Sequence, residues 1–211
     1  MTEKLNQGKI MQALDWAYNK AINGMPGIDT AEELANDYLD GDGTLTSKVN
    51  SLIRWQNTKS ATSGFLTGLG GLMTMPVAIP ANLASVLFVQ LRMIAAIAYM
   101  GGHNVRNDRV KTLAFVCLCG NGATEILKGF GIKVGSKVAQ AAINKVPGKV
   151  LIEINKRVGM RLVTKFGEKG AINLGKAVPV AGGFIGATVD AIATNMIGNV
   201  ARNIFIKDDT L

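Results

Sequence analysis

The sequence predicts an all-α protein, a single-domain multi-helix bundle with Gly-rich apolar central helices, and three observations lead there. No alternation of apolar and polar residues with period two persists along the 211 residues, and runs of β-branched residues are short. Apolar residues recur instead at three- and four-residue spacing, with Gly and Pro marking the breaks. Hydrophobic residues make up 48% of the chain and charged ones 18%, which suits a sizeable buried core and excludes a disordered polar chain. The 25 glycines follow no fixed period, so a collagen-like chain is excluded as well.

Taken in order, residues 3–22 read as an amphipathic helix through Leu5, Ile10, Leu14, Ala17, Ala21 and Ile22, stopped by Gly24, Pro26 and Gly27. Asp29 with Glu32 three residues on suggests a capping-box start for the next helix, which ends at the turn cluster Asp40-Gly41-Asp42-Gly43. Thr46 or Ser47 is expected to cap a third helix carrying Val49, Leu52, Ile53 and Trp55. Residues 1–63 are thus N-terminal helices, 64–130 apolar central helices, and 131–211 basic helices followed by a Gly-rich C-terminal helix, all within one domain.

The central part opens on GFLTGLGGLMTMP, where Gly64 and Gly68 allow close backbone approach. Pro80 suits the first turn of a long helix that Gly101 and Gly102 end. Asp108 then begins a helix through Phe115 and Cys119, with Gly120 and Gly122 as breakers. In the basic part, Pro147-Gly148 separates two helices. The first carries Lys133, Ser136, Lys137, Gln140 and Asn144 on one side, and the second buries Leu151, Ile154, Val158 and Leu162. The last helix runs from Phe184 to Phe205, with Gly182 and Gly186 four apart.

Charge is distributed unevenly. Residues 1–105 carry seven Lys/Arg against eight Asp/Glu, whereas residues 106–211 carry sixteen against seven. Eleven of those bases fall between Lys128 and Lys176, an asymmetry that points to an anionic partner. The candidate contacts are Lys133, Lys137, Lys145, Lys149, Lys156, Arg157, Arg161 and Lys165. Nucleic acid is not expected, because only Phe130 and Phe166 interrupt this region and stacking platforms are therefore poor. The first residues, MTEKLNQGK, contain no apolar stretch, so no secretory signal is expected.

The uncharged stretch from Ser60 to Leu91, thirty-two residues, passes the length test for a membrane span. Pro76 and Pro80 interrupt it, and its helical half continues through Arg92, an expensive residue at mid-bilayer. A core helix of a bundle is the preferred reading. Arg92 and Gln90 then need partners inside the core, and Asp108 and Asp190 are the candidates for a buried polar network that fixes helix register.

Motifs for catalysis are weak. Asp40 to Thr46 spells DxDGTxT, the loop of haloacid-dehalogenase phosphatases, but follows a polar helical segment rather than a buried strand. Gly170 to Lys176 spells GxxxxGK, but Ala177 stands where a P-loop needs a hydroxyl for Mg²⁺. Both are taken as chance matches. Cys117 and Cys119 read as small core hydrophobes in a reducing compartment, and His103, the single histidine, as a loop residue with no metal role. No catalytic residue, metal ligand or cofactor is expected.

The GFLTGLGGL segment, the run from Pro76 to Leu83, Gln90-Leu91-Arg92-Met93-Ile94 before Ile97-Ala98-Tyr99, and the ending from Pro179 to Gly183 through Asp190, Thr194 and Phe205 together resemble the EcsC family. The resemblance covers the chain from Asp15 onward. It implies a bacterial, helical, glycine-rich single domain and no established catalytic residue or cofactor. The family is named for a protein encoded beside an ABC transporter. The expected function is that of a non-enzymatic cytoplasmic protein, peripheral on the inner membrane through its basic face and apolar helices. A soluble module for a lipid-like ligand or a protein partner is the alternative, a pore-forming toxin a third reading. The expected partners are an anionic membrane surface or a lipid-like ligand, with a membrane transporter or another protein as further candidates.

Overall fold

The structure, a computed structural model, describes residues 5–60, 79, 81–132, 145–166 and 182–206. Among them are eight helices and no strand: α1 (Gln7–Asn23), α2 (Ala31–Leu39), α3 (Leu45–Ser60), α4 (Ala81–Met100), α5 (Asp108–Cys117), α6 (Gly122–Lys128), α7 (Gly148–Phe166) and α8 (Gly182–Phe205). The all-α expectation holds. The stretch 64–78 and the predicted helix around Lys133 to Asn144 lie outside the described residues.

Local chemistry sets the helix ends, in places one or two residues from where the sequence pattern suggested. Asn6 caps α1 by accepting the Lys9 N–H at 2.9 Å. For α2 the cap is Thr30 rather than Asp29. Its hydroxyl accepts the Glu33 N–H at 3.1 Å while the Glu33 carboxylate accepts the Thr30 N–H at 2.7 Å, a full capping box. For α3 the cap is Thr44, which accepts the Ser47 N–H at 3.2 Å. Gly122, read from sequence as a breaker, instead opens α6.

The centre of the bundle is α4. From Leu87 to Ala98 every side chain is buried, and α1, α2, α3, α5 and α8 all pack against it. That explains why the helix has no polar face: it is enclosed on all sides. The window Leu83–Met100 has a mean hydropathy of 1.8 and is long and apolar enough to cross a membrane, yet 83% of it is buried inside the bundle. At least one fully buried side chain of Leu or Phe size comes from each of α1, α3, α4, α5 and α8, such as Leu14, Leu52, Leu91, Phe115 and Phe205, and each contributes about 1.5–3 kcal/mol by leaving water. Trp55, carried on the same helix as the buried Val49, Leu52 and Ile53, is 50% exposed.

The end of α4 is a close junction. The His103 N–H reaches the Ala98 carbonyl and the Gly102 N–H the Tyr99 carbonyl, a Schellman motif with Gly102 at φ +77°. Directly beside it, the Phe205 carbonyl at the end of α8 lies so close to Gly101 that a Cβ there would collide with it. The same carbonyl is 3.0 Å from His103 Nε2, and the two rings stack edge to face at 5.3 Å. His103 is therefore no idle loop residue: it docks one helix end on another.

Outside this core lies α7, packed on α1, α5 and α6. It buries Ile154, Val158 and Leu162, with Leu151 partly covered, as the apolar spacing predicted. The Gln7 amide donates to the Lys156 carbonyl at 3.1 Å and ties α1 to it. Because α7 covers the core from one side only, its other side is free to face solvent.

Candidate functional site

Six of the eight predicted surface cations fall within the described residues, and all six are exposed. Lys145 stands just before α7, and Lys149, Lys156, Arg157, Arg161 and Lys165 are carried on it. Lys133 and Lys137 lie outside the described residues. The cations do not form one face. Lys149, Ile152, Lys156 and Met160 recur at helical spacing along the outermost ridge, and Arg157, Arg161 and Lys165 form a second row, four residues apart, on the flank. Sequence spacing alone does not separate the two rows, because it does not say which side of the helix the core occupies.

The outer ridge carries apolar side chains as well as charge. Ile152 is 63% exposed and Met160 62%, two of the few large apolar residues left open to solvent. Glu153 alone offers a negative charge on the exposed side of α7, 3.2 Å from Lys156. The outward side of α7 thus presents cationic and apolar side chains together.

The flanking row looks into a groove of about 840 Å³ between α6, α7 and α8. Its apolar lining includes Ile126, Met160, Ile192 and Met196, and its floor includes Cys119 and Gly120. Arg157 lies over the Phe130 ring at 4.7 Å. Arg161 is 3.1 Å from Glu125 and rests against Gly122, where a Cβ would collide with the guanidinium. The missing side chain at Gly122 thus lets an arginine lie across the short helix. Lys165 reaches the Leu118 carbonyl at 3.5 Å and lies over the Phe166 ring. Burial pushes the Cys119 thiol up to about 11, against the opposing pull of Arg161 and Lys165, so both cations are felt at the groove floor. Cys117, fully buried at the end of α5 two residues earlier, is raised further by burial and by the Cys119 thiol.

The predicted buried polar network is rearranged. Arg92 is only 4% exposed, as expected for a core position, but its partner is not Asp108, which is exposed in the first turn of α5. Instead, Nη1 donates to the backbone carbonyl of Asp29 at 3.0 Å, in the segment joining α1 to α2. Burial lowers the guanidinium pKa, and the Asp29 charge opposes that shift. Gln90 sits across from Thr194 of α8, with Nε2 3.5 Å from the hydroxyl. The Asp190 side chain lies outside the described residues. These contacts tie α4 to its neighbours: Arg92 holds the α1–α2 turn, and Gln90 faces α8. Neither Arg92 nor Gln90 lines the groove between α6, α7 and α8.

The Asp40-to-Thr46 loop joins α2 to α3 on the surface, with Asp40 and Asp42 both exposed. Lys48 donates to the Leu39 carbonyl there at 2.7 Å and closes the end of α2. A phosphatase loop needs a strand end beneath the first aspartate, and a helix end occupies that place. The Gly170-to-Lys176 motif lies outside the described residues. Among the described residues no three His, Cys, Asp or Glu side chains come together as a metal site.

Comparison with known proteins brings one match. The family model of the EcsC protein family matches residues 5–207 of the 211. Curated proteins and solved structures bring none.

Proposed function

The chain belongs to the EcsC family, and from that premise we propose that it is a non-catalytic helical protein of the bacterial cytoplasm that docks peripherally on the anionic inner face of the membrane. The observation that carries this reading is the outer ridge of α7, where Lys149 and Lys156 alternate with outward Ile152 and Met160. Each Lys or Arg near an anionic surface contributes about 1 kcal/mol. The two ridge lysines, Lys145 and the partly engaged flank arginines together supply about 4–5 kcal/mol, a submillimolar affinity from charge alone and without any span. Burial of Ile152 and Met160 among acyl chains adds an apolar contribution that salt does not screen.

Under this reading α4 stays inside the bundle. Its apolar surface is already covered by five neighbouring helices, so moving it into lipid would exchange one apolar environment for another while breaking the Arg92 and Gln90 contacts. The test is vesicle flotation with the purified chain. Vesicles of phosphatidylglycerol and phosphatidylcholine are expected to carry the protein at low salt, and to release at least roughly tenfold of it as ionic strength approaches 1 M and the Debye length falls to about 3 Å. Pure phosphatidylcholine vesicles are expected to leave it behind. Equal flotation with both compositions contradicts the electrostatic docking.

A further inference from the structure

We infer that the groove between α6, α7 and α8 is a binding site for one long-chain anionic amphiphile, a single acyl chain ending in a carboxylate or a phosphate. The groove has the two halves such a ligand needs. Its walls bring Ile126, Ile192 and Met196 together along one side, apolar and adaptable surface of the kind that takes an acyl chain. Its rim brings Arg157 and Arg161, whose planar forks match the geometry of carboxylate and phosphate oxygens.

Both arginines are held in place before any ligand arrives. Arg157 is stacked on Phe130 at 4.7 Å, and Arg161 is laid against Gly122. The acidic partner of Arg161 is exchangeable: the Glu125 side chain is 78% exposed, and the pair is a surface contact at 3.1 Å. Exposed ion pairs are weak, so an incoming anion that is partly shielded in the groove competes well for the guanidinium. Positive potential extends to the floor, where Arg161 and Lys165 both act on Cys119.

Size selects the ligand further. A volume of about 840 Å³ falls within the ~300–1,000 Å³ range of small-molecule sites. It accommodates one acyl chain with its head group. The mouth is bordered by Met160, 62% exposed, and Ile192, 64% exposed. Met160 also belongs to the outer ridge of α7, so the groove opens beside the face proposed to meet the membrane. The inference takes from that proposal only the source of the ligand. Binding is measured with no vesicle present, so either idea can fail while the other stands.

The experiment uses the full chain, stripped of co-purifying lipid and titrated with 11-(dansylamino)undecanoic acid below its critical micelle concentration. Saturable one-to-one binding is expected, displaced by oleate and by lysophosphatidate; the tighter of the two identifies the head group. Methyl oleate, which keeps the chain and loses the charge, is expected to compete at least roughly tenfold less well. The double substitution Arg157→Gln with Arg161→Gln is expected to weaken binding roughly 30- to 100-fold. Ala193→Trp, which fills the groove and leaves both arginines, is expected to abolish it. Arg106→Gln, which removes an exposed arginine paired with Asn23, serves as the charge control and is expected to change nothing. Competition by the ester equal to that of the acid overturns the inference, and this comparison needs no variant to fold. Unchanged binding in the double variant or in Ala193→Trp, with helical content retained, overturns it equally.

Discussion

Gly101→Ala is expected to destabilise the protein by about 2–4 kcal/mol. The added Cβ has nowhere to go. Its nearest neighbour is the Phe205 carbonyl, a backbone atom at the end of α8 that cannot rotate away as a side chain would. To admit the methyl, the end of α8 must retreat, which loosens the His103 contact to the same carbonyl at 3.0 Å and the buried Phe205 ring, 1% exposed. Overpacking costs about 1–3 kcal/mol, and a weakened, partly buried hydrogen bond adds about 1 kcal/mol. For a chain of this size the melting temperature falls by roughly 2–4 °C per kcal/mol, so circular dichroism should record a loss of about 5–15 °C. Gly102→Ala provides the comparison. It places a Cβ at φ +77° with nothing near it, and only the backbone penalty of about 1 kcal/mol is expected. Equal melting temperatures for Gly101→Ala and the unaltered protein contradict the close junction of α4 with α8.

Reversing two charges on the outer ridge should have an equally large effect on membrane binding and almost none on stability. Lys149→Glu with Lys156→Glu removes two attractions of about 1 kcal/mol each and replaces them with two repulsions of similar size. The sum, about 3–4 kcal/mol, corresponds to a fall of at least ~100-fold in partitioning onto phosphatidylglycerol vesicles. Both lysines are exposed, and among the described residues the ion pair lost is the surface contact of Lys156 with Glu153, which is worth little. The melting temperature should therefore stay within a few degrees. Lys20→Glu with Arg54→Glu makes the same change in net charge at exposed positions on α1 and α3. Vesicle co-sedimentation should fall much less for that pair. Equal losses for the two double variants would mean that net charge, not the ridge, governs binding.

Much of the fold was legible in the sequence because its strongest signals are local. A long apolar run closed by Gly101-Gly102 specified α4 and its end, since a glycine at positive φ is what a Schellman motif requires. The apolar spacing of Ile154, Val158 and Leu162 specified the buried side of α7. What local patterns could not show were meetings between distant segments. Arg92 takes a backbone carbonyl at Asp29 as its partner. Carbonyls are present at every position, so composition singles out none of them and directs attention to carboxylates. Trp55 shares its helix with the buried Val49, Leu52 and Ile53, but it falls on the outward side, and Thr30 and Thr44 took caps from neighbours of equal propensity. The candidate site was half legible. The cations of α7 were visible as an excess of charge, whereas the groove requires α6, α7 and α8 to converge. Gly122 hinted at it only as a break, when its missing Cβ is what lets Arg161 lie across α6.

The claim on which the account turns is that lipid meets the outer ridge of α7 while α4 remains enclosed. It is tested most directly by a tryptophan placed on the ridge, Ile152→Trp, with Trp16 and Trp55 replaced by Phe, bound to phosphatidylglycerol vesicles that contain brominated phosphatidylcholine. The ridge lies at the interface if bromines near the head-group end of the chain quench the fluorescence most, and if the quenching disappears at high salt together with binding. A chain that pellets with these vesicles while the tryptophan at position 152 remains unquenched, or is quenched best by bromines at the bilayer centre, contradicts it.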